Sequence, residues 1–269
     1  MDRFVGVLDE KTGIFLVFFA AIFILERLFP AARPQVKAAL GRMIDQLRRL
    51  AKNLAFAGIN AVASPLIVIP VSAAAAHWSL NWRPAWFAGG AVLVFDLVLL
   101  DMWIYWWHRA NHRLPFLWRF HEVHHLDQFL DSTSAVRFHV GEVVLSALTR
   151  AGIIFLLAVP VTSVVVFELL LLLATVFHHS NLRLPSGFER LLSAVIVTPS
   201  IHWVHHHARR RDTDSNYSTI LSAWDHVFAS RSATRRTPDL EIGVEREHDR
   251  PFLALLLRPF QQRSLGESP

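Results

Sequence analysis

The sequence contains no cysteine and few charged residues. Its 269 residues include no Cys, and only 18% are Asp, Glu, Lys or Arg. The lack of thiols excludes disulfides, iron-sulfur clusters and thiolate catalysis, so only His or carboxylate could hold a metal ion. With 53% hydrophobic residues, the chain is also too apolar for an ordinary soluble domain.

The hydrophobic residues are concentrated in long runs, at 13–29, 54–76, 85–107 and 141–177. About 20 apolar residues cross the ~30 Å hydrocarbon core of a bilayer. We therefore predict an all-α, polytopic membrane helical bundle with about four spans. No small-residue cleavage pattern follows the first run, which predicts a retained anchor rather than a signal peptide.

The basic residues predict how the bundle is oriented. The loop predicted at 30–53 contains one acid, Asp45, and six bases, Arg33, Lys37, Arg42, Arg48, Arg49 and Lys52, whereas the turn at 77–84 contains only Arg83. The positive-inside rule places this loop in the cytoplasm. It also explains the net charge of +5 without a nucleic-acid partner. The third run then ends on the cytoplasmic side, with a predicted interfacial aromatic belt of Trp103, Tyr105, Trp106 and Trp107.

The fourth run could form one long span or two short ones. A single crossing would separate the histidines before and after it, whereas a hairpin returns the chain to the same side. Pro160, followed by Thr162 and Ser163, favours a turn and thus the hairpin. Arg150 and Glu168 argue against a clean hairpin, because an intramembrane charge must face protein, water or the interface.

The chain is more polar after the fourth run. A capping-box pattern at Ser186 and Glu189 predicts a helix through Val197, and Pro199 marks the start of the next helix. The sequence beyond about residue 231 has no clear period and is predicted to lie loosely on the surface.

Ten of the fifteen histidines fall in four short clusters. His108 and His112, one turn apart, could bind one metal ion from a polar stripe that includes Asp101 and Tyr105. Asp101 is expected to accept a hydrogen bond from an imidazole and orient it. The other clusters are His121, His124 and His125; His178 and His179, of which His179 is preferred as a ligand; and His202, His205 and His206, with His207 as a neighbour.

The repeated spacing H-x2-H-H argues against chance, because adjacent imidazoles repel when protonated and gain nothing from packing. Each copy follows a proline that can open a helix, at Pro115 and at Pro199. A tetrahedral zinc ion uses at most four ligands. Eight or nine imidazoles therefore predict two metals that share one site.

These motifs resemble those of the fatty acid hydroxylase and sterol desaturase superfamily, membrane enzymes with a non-haem di-metal centre. The matching pieces span about residues 95–232: DMWIYWWHRANH, LWRFHEVHH, RFHVGE, FHHSNLRLP, TPSIHWVHHH and DSNYSTILSAWDHVFAS. The resemblance implies nine metal ligands: His108, His112, His121, His124, His125, His179, His202, His205 and His206. Six further residues are candidates for a metal ligand or a hydrogen-bond partner of one: His139, His178, His207, Asp101, Asp225 and Asn181.

The sequence departs from the family pattern in three places. His139 is followed by Val140 where the family usually has proline, and the usual Asn-Tyr-Gly becomes Asn-Tyr-Ser at 216–218. The family's final Gly-Thr becomes Ala-Ser at 229–230. None of these changes removes an implied ligand.

The resemblance implies an oxygenase that hydroxylates or desaturates an unactivated C–H bond of a lipid, such as a sterol or fatty acyl chain. It would use two iron ions, O2 and two electrons, with no catalytic residue beyond the metal ligands. The sequence has no flavin or nicotinamide fingerprint, so a separate ferredoxin- or cytochrome-like protein is expected to deliver electrons.

Three regions are expected. Residues 1–94 hold N-terminal spans and the basic cytoplasmic loop, 95–232 form the catalytic domain with a cytoplasmic helical cap, and 233–269 form a cytoplasmic tail, interfacial at 251–260. An alternative is an intramembrane zinc hydrolase, in which HEVHH supplies the zinc motif and Glu122 the base. A non-enzymatic alternative is a metal transporter or a haem carrier. A transporter would place its ligands near mid-bilayer, whereas these histidines follow the apolar runs. A haem carrier would show a Soret absorption band.

Overall fold

The computed structural model describes residues 2–33 and 39–261, and the described chain is helical with no strand. The longer helices are α1 (Asp2–Leu28), α2 (Ala39–Ala63), α3 (Ile69–His77), α4 (Gly90–Arg113), α5 (Pro115–His125), α6 (Val140–Leu157) and α7 (Val161–His179). The shorter ones are α8 (Ser186–Leu192), α9 (Pro199–His205), α10 (Arg210–Thr213), α11 (Ala223–Val227) and α12 (Phe252–Leu257). Two 3-10 turns lie at Ser132–Val136 and Arg258–Phe260.

Within the described residues, four helical segments are long and apolar enough to cross a membrane: Met43–His77, Gly90–Arg113, Val140–Leu157 and Val161–His179. The predicted all-α bundle with about four spans is confirmed. The first apolar run lies within α1, which is not one of these four segments.

A π-helical turn, Ser64–Val68, joins α2 to α3 and makes them one long segment. Pro65 has no backbone N–H to donate to the preceding turn. The ladder therefore resumes with a wider spacing, in which the Ile69 N–H donates to the Ser64 carbonyl. Ser64 and Val68 both line a cavity that also borders the clustered histidines.

The hairpin predicted in the fourth run is confirmed. Ala158 ends α6 in the left-handed conformation, and Pro160 immediately precedes α7. The charges that argued against the hairpin pair with each other, since Arg150 Nη2 lies 3.0 Å from Glu168 Oε1. Lys11 Nζ of α1 lies 2.6 Å from Glu168 Oε2.

The largest apolar core lies between α4, α6 and α7 and includes Leu100, Ile154 and Phe167, all fully buried. It changes the interpretation of the aromatic stretch of α4. Trp107 packs in this core and Tyr105 is fully buried, whereas Trp106 is 45% exposed. The predicted aromatic belt is therefore wrong for Tyr105 and Trp107, because Phe228 and Ser230 cover Tyr105 and the helix core covers Trp107.

The loop predicted at 30–53 is shorter than expected, because α2 already begins at Ala39. Lys37 lies outside the described residues. Arg49 points inward and lies 2.9 Å from Asp127, and Lys52 pairs with Asp249. Two of the bases that predicted the orientation thus hold α2 against the chain just after α5 and against the C-terminal segment.

Two predictions made for the polar half are wrong. Helix α8 ends at Leu192, and Glu189 accepts the Ser200 N–H at 3.0 Å instead of closing a capping box. The segment after residue 231 is held specifically, because the Gly243 N–H donates to the His206 carbonyl at 3.0 Å. Backbone pairing of this kind needs no periodic side-chain pattern, so it cannot be read from the sequence.

Candidate metal centre

Four helix ends carry the clustered histidines to one place. Pro115 and Pro199 occupy the first turns of α5 and α9, as predicted, and each helix ends in its histidine triplet. The last turn of α4 carries His112, and α7 ends in His178 and His179. Because α6 and α7 form a hairpin, all four clusters meet on one side of the bundle.

The nine predicted ligands form two adjoining groups, and within each group the candidate ligand atoms lie within 4.8 Å of one another. The first group is His108, His112, His121, His125 and His205, and the second is His124, His179, His202 and His206. All nine side chains are buried. The groups touch, since the His125 and His206 rings stack with centroids 4.2 Å apart.

Each H-x2-H-H triplet is divided between the two groups. On α5, the i and i+4 residues His121 and His125 join the first group, and His124 joins the second. On α9 the assignment is reversed, because His202 and His206 join the second group and His205 the first. Residues four apart share a helix face, whereas the residue at i+3 is turned slightly toward the neighbouring site. The motif therefore bridges two sites rather than serving one.

The imidazole contacts are those expected around a cation. His124 Nδ1 lies 3.2 Å from the Arg137 carbonyl and His179 Nδ1 lies 2.7 Å from the Thr175 carbonyl. A carbonyl can only accept, so both rings carry their proton on Nδ1. Their Nε2 lone pairs then face each other at 2.9 Å with no proton between them. A shared cation would turn this repulsive contact into coordination.

The spacing fits a coordination polyhedron. For a metal–nitrogen distance of about 2.1 Å, adjacent ligand nitrogens lie about 3.0 Å apart in an octahedron and about 3.4 Å in a tetrahedron. His202 Nε2 lies 3.0 Å from His179 Nε2 and 3.1 Å from His206 Nε2. In the first group, His205 Nε2 and both ring nitrogens of His112 are buried without a hydrogen-bond partner. Both groups can therefore bind metal ions.

Protonation does not compete for these lone pairs near neutral pH. Burial first, and then the neighbouring imidazoles, lower the pKa values of the triplet histidines well below the ordinary value. The residues concerned are His124, His125, His202, His205 and His206. Neutral imidazole is the form that binds metal.

A buried carboxylate that sequence analysis missed supports the first group. Glu142, in the first turn of α6, accepts from His121 Nδ1 at 2.8 Å and from Asn111 at 3.3 Å. This bond fixes the ring so that Nε2 faces the site. A lone acid at the start of an apolar run is a usable signal, because a buried charge needs a partner.

Backbone carbonyls orient two further rings from the loop at 215–221. Tyr217 O accepts from His108 Nδ1 at 2.8 Å, and Ser215 O accepts from His205 Nδ1 at 2.6 Å. Asp225 holds this loop by accepting the Tyr217 N–H at 2.8 Å. We name residues 215–221 the carbonyl loop.

Asp101 does not orient an imidazole directly, which corrects the prediction. Its carboxylate accepts the Ile220 and Leu221 N–H groups at 3.2 and 3.1 Å. It also accepts Trp224 Nε1–H at 2.8 Å. Asp101 thus anchors the carbonyl loop and reaches the histidines only through it, as Asp225 does. The carbonyl loop covers the face of α4 on which Asp101 was expected to contact an imidazole.

The remaining candidates lie outside the two groups. His139 caps α6, accepting the Gly141 N–H at 2.9 Å on Nδ1, while Nε2 contacts the Leu256 carbonyl at 3.0 Å. His207 pairs with Asp212 at 2.7 Å. Asn181 bonds to the backbone of Ala32. His178 contacts the Thr219 carbonyl and lies against the second group, its ring centroid 4.0 Å from that of His202.

Glu122, the base required by a zinc hydrolase, belongs to neither group of candidate ligands. Its carboxylate is buried and lies 3.2 Å from Arg258 Nε, in the C-terminal 3-10 turn. A general base must reach the metal-bound water. The contact with Arg258 directs this carboxylate toward the C-terminal segment instead, and five imidazoles in one group exceed the four ligands of tetrahedral zinc.

A cavity of about 480 Å³ opens onto both groups. The part of the cavity beside the two groups, here called its histidine end, is lined by His108, His121, His124, His178, His179 and His202. Its walls are largely apolar and include Val68, Ile104 and Leu171. Such a cavity can hold an elongated apolar ligand with one end beside the imidazoles.

Comparison with known proteins agrees with this geometry. The family model described as fatty acid hydroxylase matches residues 93–230. The ornithine lipid hydroxylase OlsE of Rhizobium tropici is 24% identical over 94% of this chain and 76% of its own length. An alkylglycerol monooxygenase of Danio rerio is 32% identical over 56% of this chain, and a cholesterol 25-hydroxylase-like protein of the same species is 27% identical over 57%.

The match to the alkylglycerol monooxygenase covers only 32% of that protein, and the match to the hydroxylase-like protein covers 63% of it. No solved structure matches the chain. The residues matched by the family model include the last turn of α4, both triplets and the carbonyl loop. The relatives named above are lipid hydroxylases and monooxygenases, which are oxidoreductases. The chain belongs to the fatty acid hydroxylase family.

Proposed function

We propose that this protein is a membrane-bound, non-haem di-iron oxygenase that hydroxylates an unactivated C–H bond of a lipid, with desaturation as the related outcome. The observation that carries the proposal is the pair of adjoining all-imidazole groups at the histidine end of an apolar cavity. Imidazole ligands suit iron. When bound, two irons supply activation of O2 and removal of hydrogen from the C–H bond.

The protein's own residues have three tasks in this reaction. The nine imidazoles hold the metals, and Glu142 and the carbonyl loop fix their rings in place. The apolar walls of the cavity align the lipid chain and keep water away from the reacting carbon. In this proposal a separate ferredoxin- or cytochrome-like protein delivers the two electrons.

We further propose that the centre faces the cytoplasm and that residues 95–232 form the catalytic domain. Arg33 and Arg48 are exposed, and their neighbours Ala32 and Arg49 contact Asn181 and Asp127, each two residues beyond a histidine cluster, which supports this orientation. The region 233–269 would lie on the same side, since the described part of it contacts His206 and Glu122.

The test is purification in detergent or nanodiscs, metal counting, and incubation with membrane lipid extract, O2 and a reductant. Mass spectrometry should detect lipids that gain one oxygen atom or lose two hydrogen atoms. His121→Ala and His205→Ala should abolish this oxidation while leaving a folded protein in the membrane. Wild-type turnover by either variant, or one tightly held zinc per chain with oxygen-independent hydrolysis, would contradict the proposal.

A further inference from the structure

Three charged side chains line the cavity two to three helical turns from its histidines, as judged by residue spacing along α6 and α7. Lys11, Glu168 and Arg150, here called the charge triad, come from α1, α7 and α6. The two bases share one acid, at 2.6 Å for Lys11 and 3.0 Å for Arg150. The other acid that lines the cavity, Glu142, lies at the histidine end. The triad therefore carries one excess positive charge inside an apolar cavity.

The donors of the triad are not fully used. Arg150 is only 6% exposed, and its Nε is buried without a hydrogen-bond partner. A buried donor without an acceptor and a buried excess charge both cost free energy. An intramembrane charge that borders a cavity commonly marks a ligand pathway. An acidic group in the cavity would satisfy the free donor and neutralise the excess charge together.

We propose that the charge triad binds the acidic group of the lipid substrate, a carboxylate or a phosphate, and so sets which carbon faces the metals. This rests on the proposed function for the identity of the reaction, but the binding itself does not. The substrate would be a single-chain acidic amphiphile, with its head at Arg150 and Lys11 and its chain running along the cavity toward His179.

The lengths of α6 and α7 give the distance between the charge triad and the histidines. At about 1.5 Å per residue, Arg150 lies about 12 Å from Glu142 along α6, and Glu168 lies about 16 Å from His179 along α7. A carbon–carbon bond of about 1.5 Å in a zigzag chain advances about 1.3 Å. The oxidised carbon is therefore expected about nine to twelve carbons from the acidic group.

The experiment measures binding by native mass spectrometry on the full-length, metal-loaded protein in detergent. The probes are palmitate, hexadecyl phosphate and methyl palmitate, which share a chain but differ in head-group charge. The wild type should bind the better acid at least tenfold more tightly than the ester, as expected for a charge-assisted contact. The ratio of the dissociation constants of palmitate and hexadecyl phosphate shows whether the site prefers a carboxylate or a phosphate.

Two substitutions that break the same ion pair should act in opposite directions. Arg150→Gln should reduce the preference for acid over ester about tenfold, whereas Glu168→Gln should increase acid binding severalfold by removing the competing carboxylate. Arg150→Lys should restore the preference, and Arg48→Gln, at an exposed arginine, should change nothing. Elution as a single folded species is checked for each variant.

Loss of acid binding in both Arg150→Gln and Glu168→Gln would mean that the pair is structural and would overturn the inference. Equal binding of acid and ester by the wild type would also overturn it. A protein that shows the expected binding pattern but oxidises no lipid would refute the proposed function alone. Oxidation without any acid preference would refute the charge triad as a head-group site alone.

Discussion

The hydrogen bond between Glu142 and His121 gives a prediction about metal stoichiometry. Glu142 is 6% exposed and accepts from His121 Nδ1 at 2.8 Å. Glu142→Ala leaves that buried N–H without its acceptor and lets the ring turn. Loss of such a supporting partner typically weakens metal binding 10–100-fold, which corresponds to about 1.4–2.7 kcal/mol. Because His121 belongs to the first group only, one metal should be lost and the other kept.

The assay is titration of the metal-loaded protein with a chelator, followed by metal counting per chain. With one metal in each group, as proposed, the wild type should release both metals together at high chelator concentration, whereas Glu142→Ala should fall from two metals to one at 10–100-fold lower chelator. Glu142→Gln keeps a carbonyl acceptor and should lose less. Glu241→Ala, at an exposed acid, is the matched control. Wild-type retention of both metals by Glu142→Ala, or equal loss of both, would refute this account of the site.

Two further predictions concern stability. A Cβ at Gly141 would lie 2.5 Å from a ring carbon of Phe120, so Gly141→Ala should destabilise the protein by about 1–3 kcal/mol in thermal unfolding, whereas Gly152→Ala in the same helix meets nothing within 4 Å and should be near neutral. Equal unfolding temperatures for the two variants would contradict this packing. Burial and neighbouring imidazoles lower the folded-state pKa values of His124, His125, His202, His205 and His206, so the unfolded state of the metal-free protein binds more protons below about pH 6.5. The contribution of these histidines to the stability of the metal-free protein should be fully present above that pH and decrease as the pH falls. An unfolding temperature that is the same at pH 7.5 and pH 5.5 would contradict the lowered pKa values.

Much of the fold could be predicted because its signals are local. Apolar runs of span length, prolines that open α5 and α9, and the turn at Pro160 are each readable within a few residues. The errors arose where a distant segment decided the outcome. Glu189 had a local cap available, yet it bonds to Ser200 at the start of the next helix.

The site was predicted in the same uneven way. Clustering marked ten histidines as candidate ligands, and the family resemblance implied the nine of them that form the two groups. Asp101 was placed on the correct buried stripe but given the wrong partner, since one face of α4 meets both the histidines and the carbonyl loop. Glu142 was missed, because nothing near it in the chain reveals that His121 lies beside it.

The sequence by itself determined the membrane helices, the absence of cysteine ligands and the set of imidazoles available for metal binding, because hydropathy, composition and spacing can be read along the chain. Only the tertiary structure decided how those imidazoles divide into groups of five and four, which carbonyls and which acid orient them, and where the charge triad meets the cavity. These features depend on the directions in which side chains from separate helices point, and those directions are fixed only when the helices pack together.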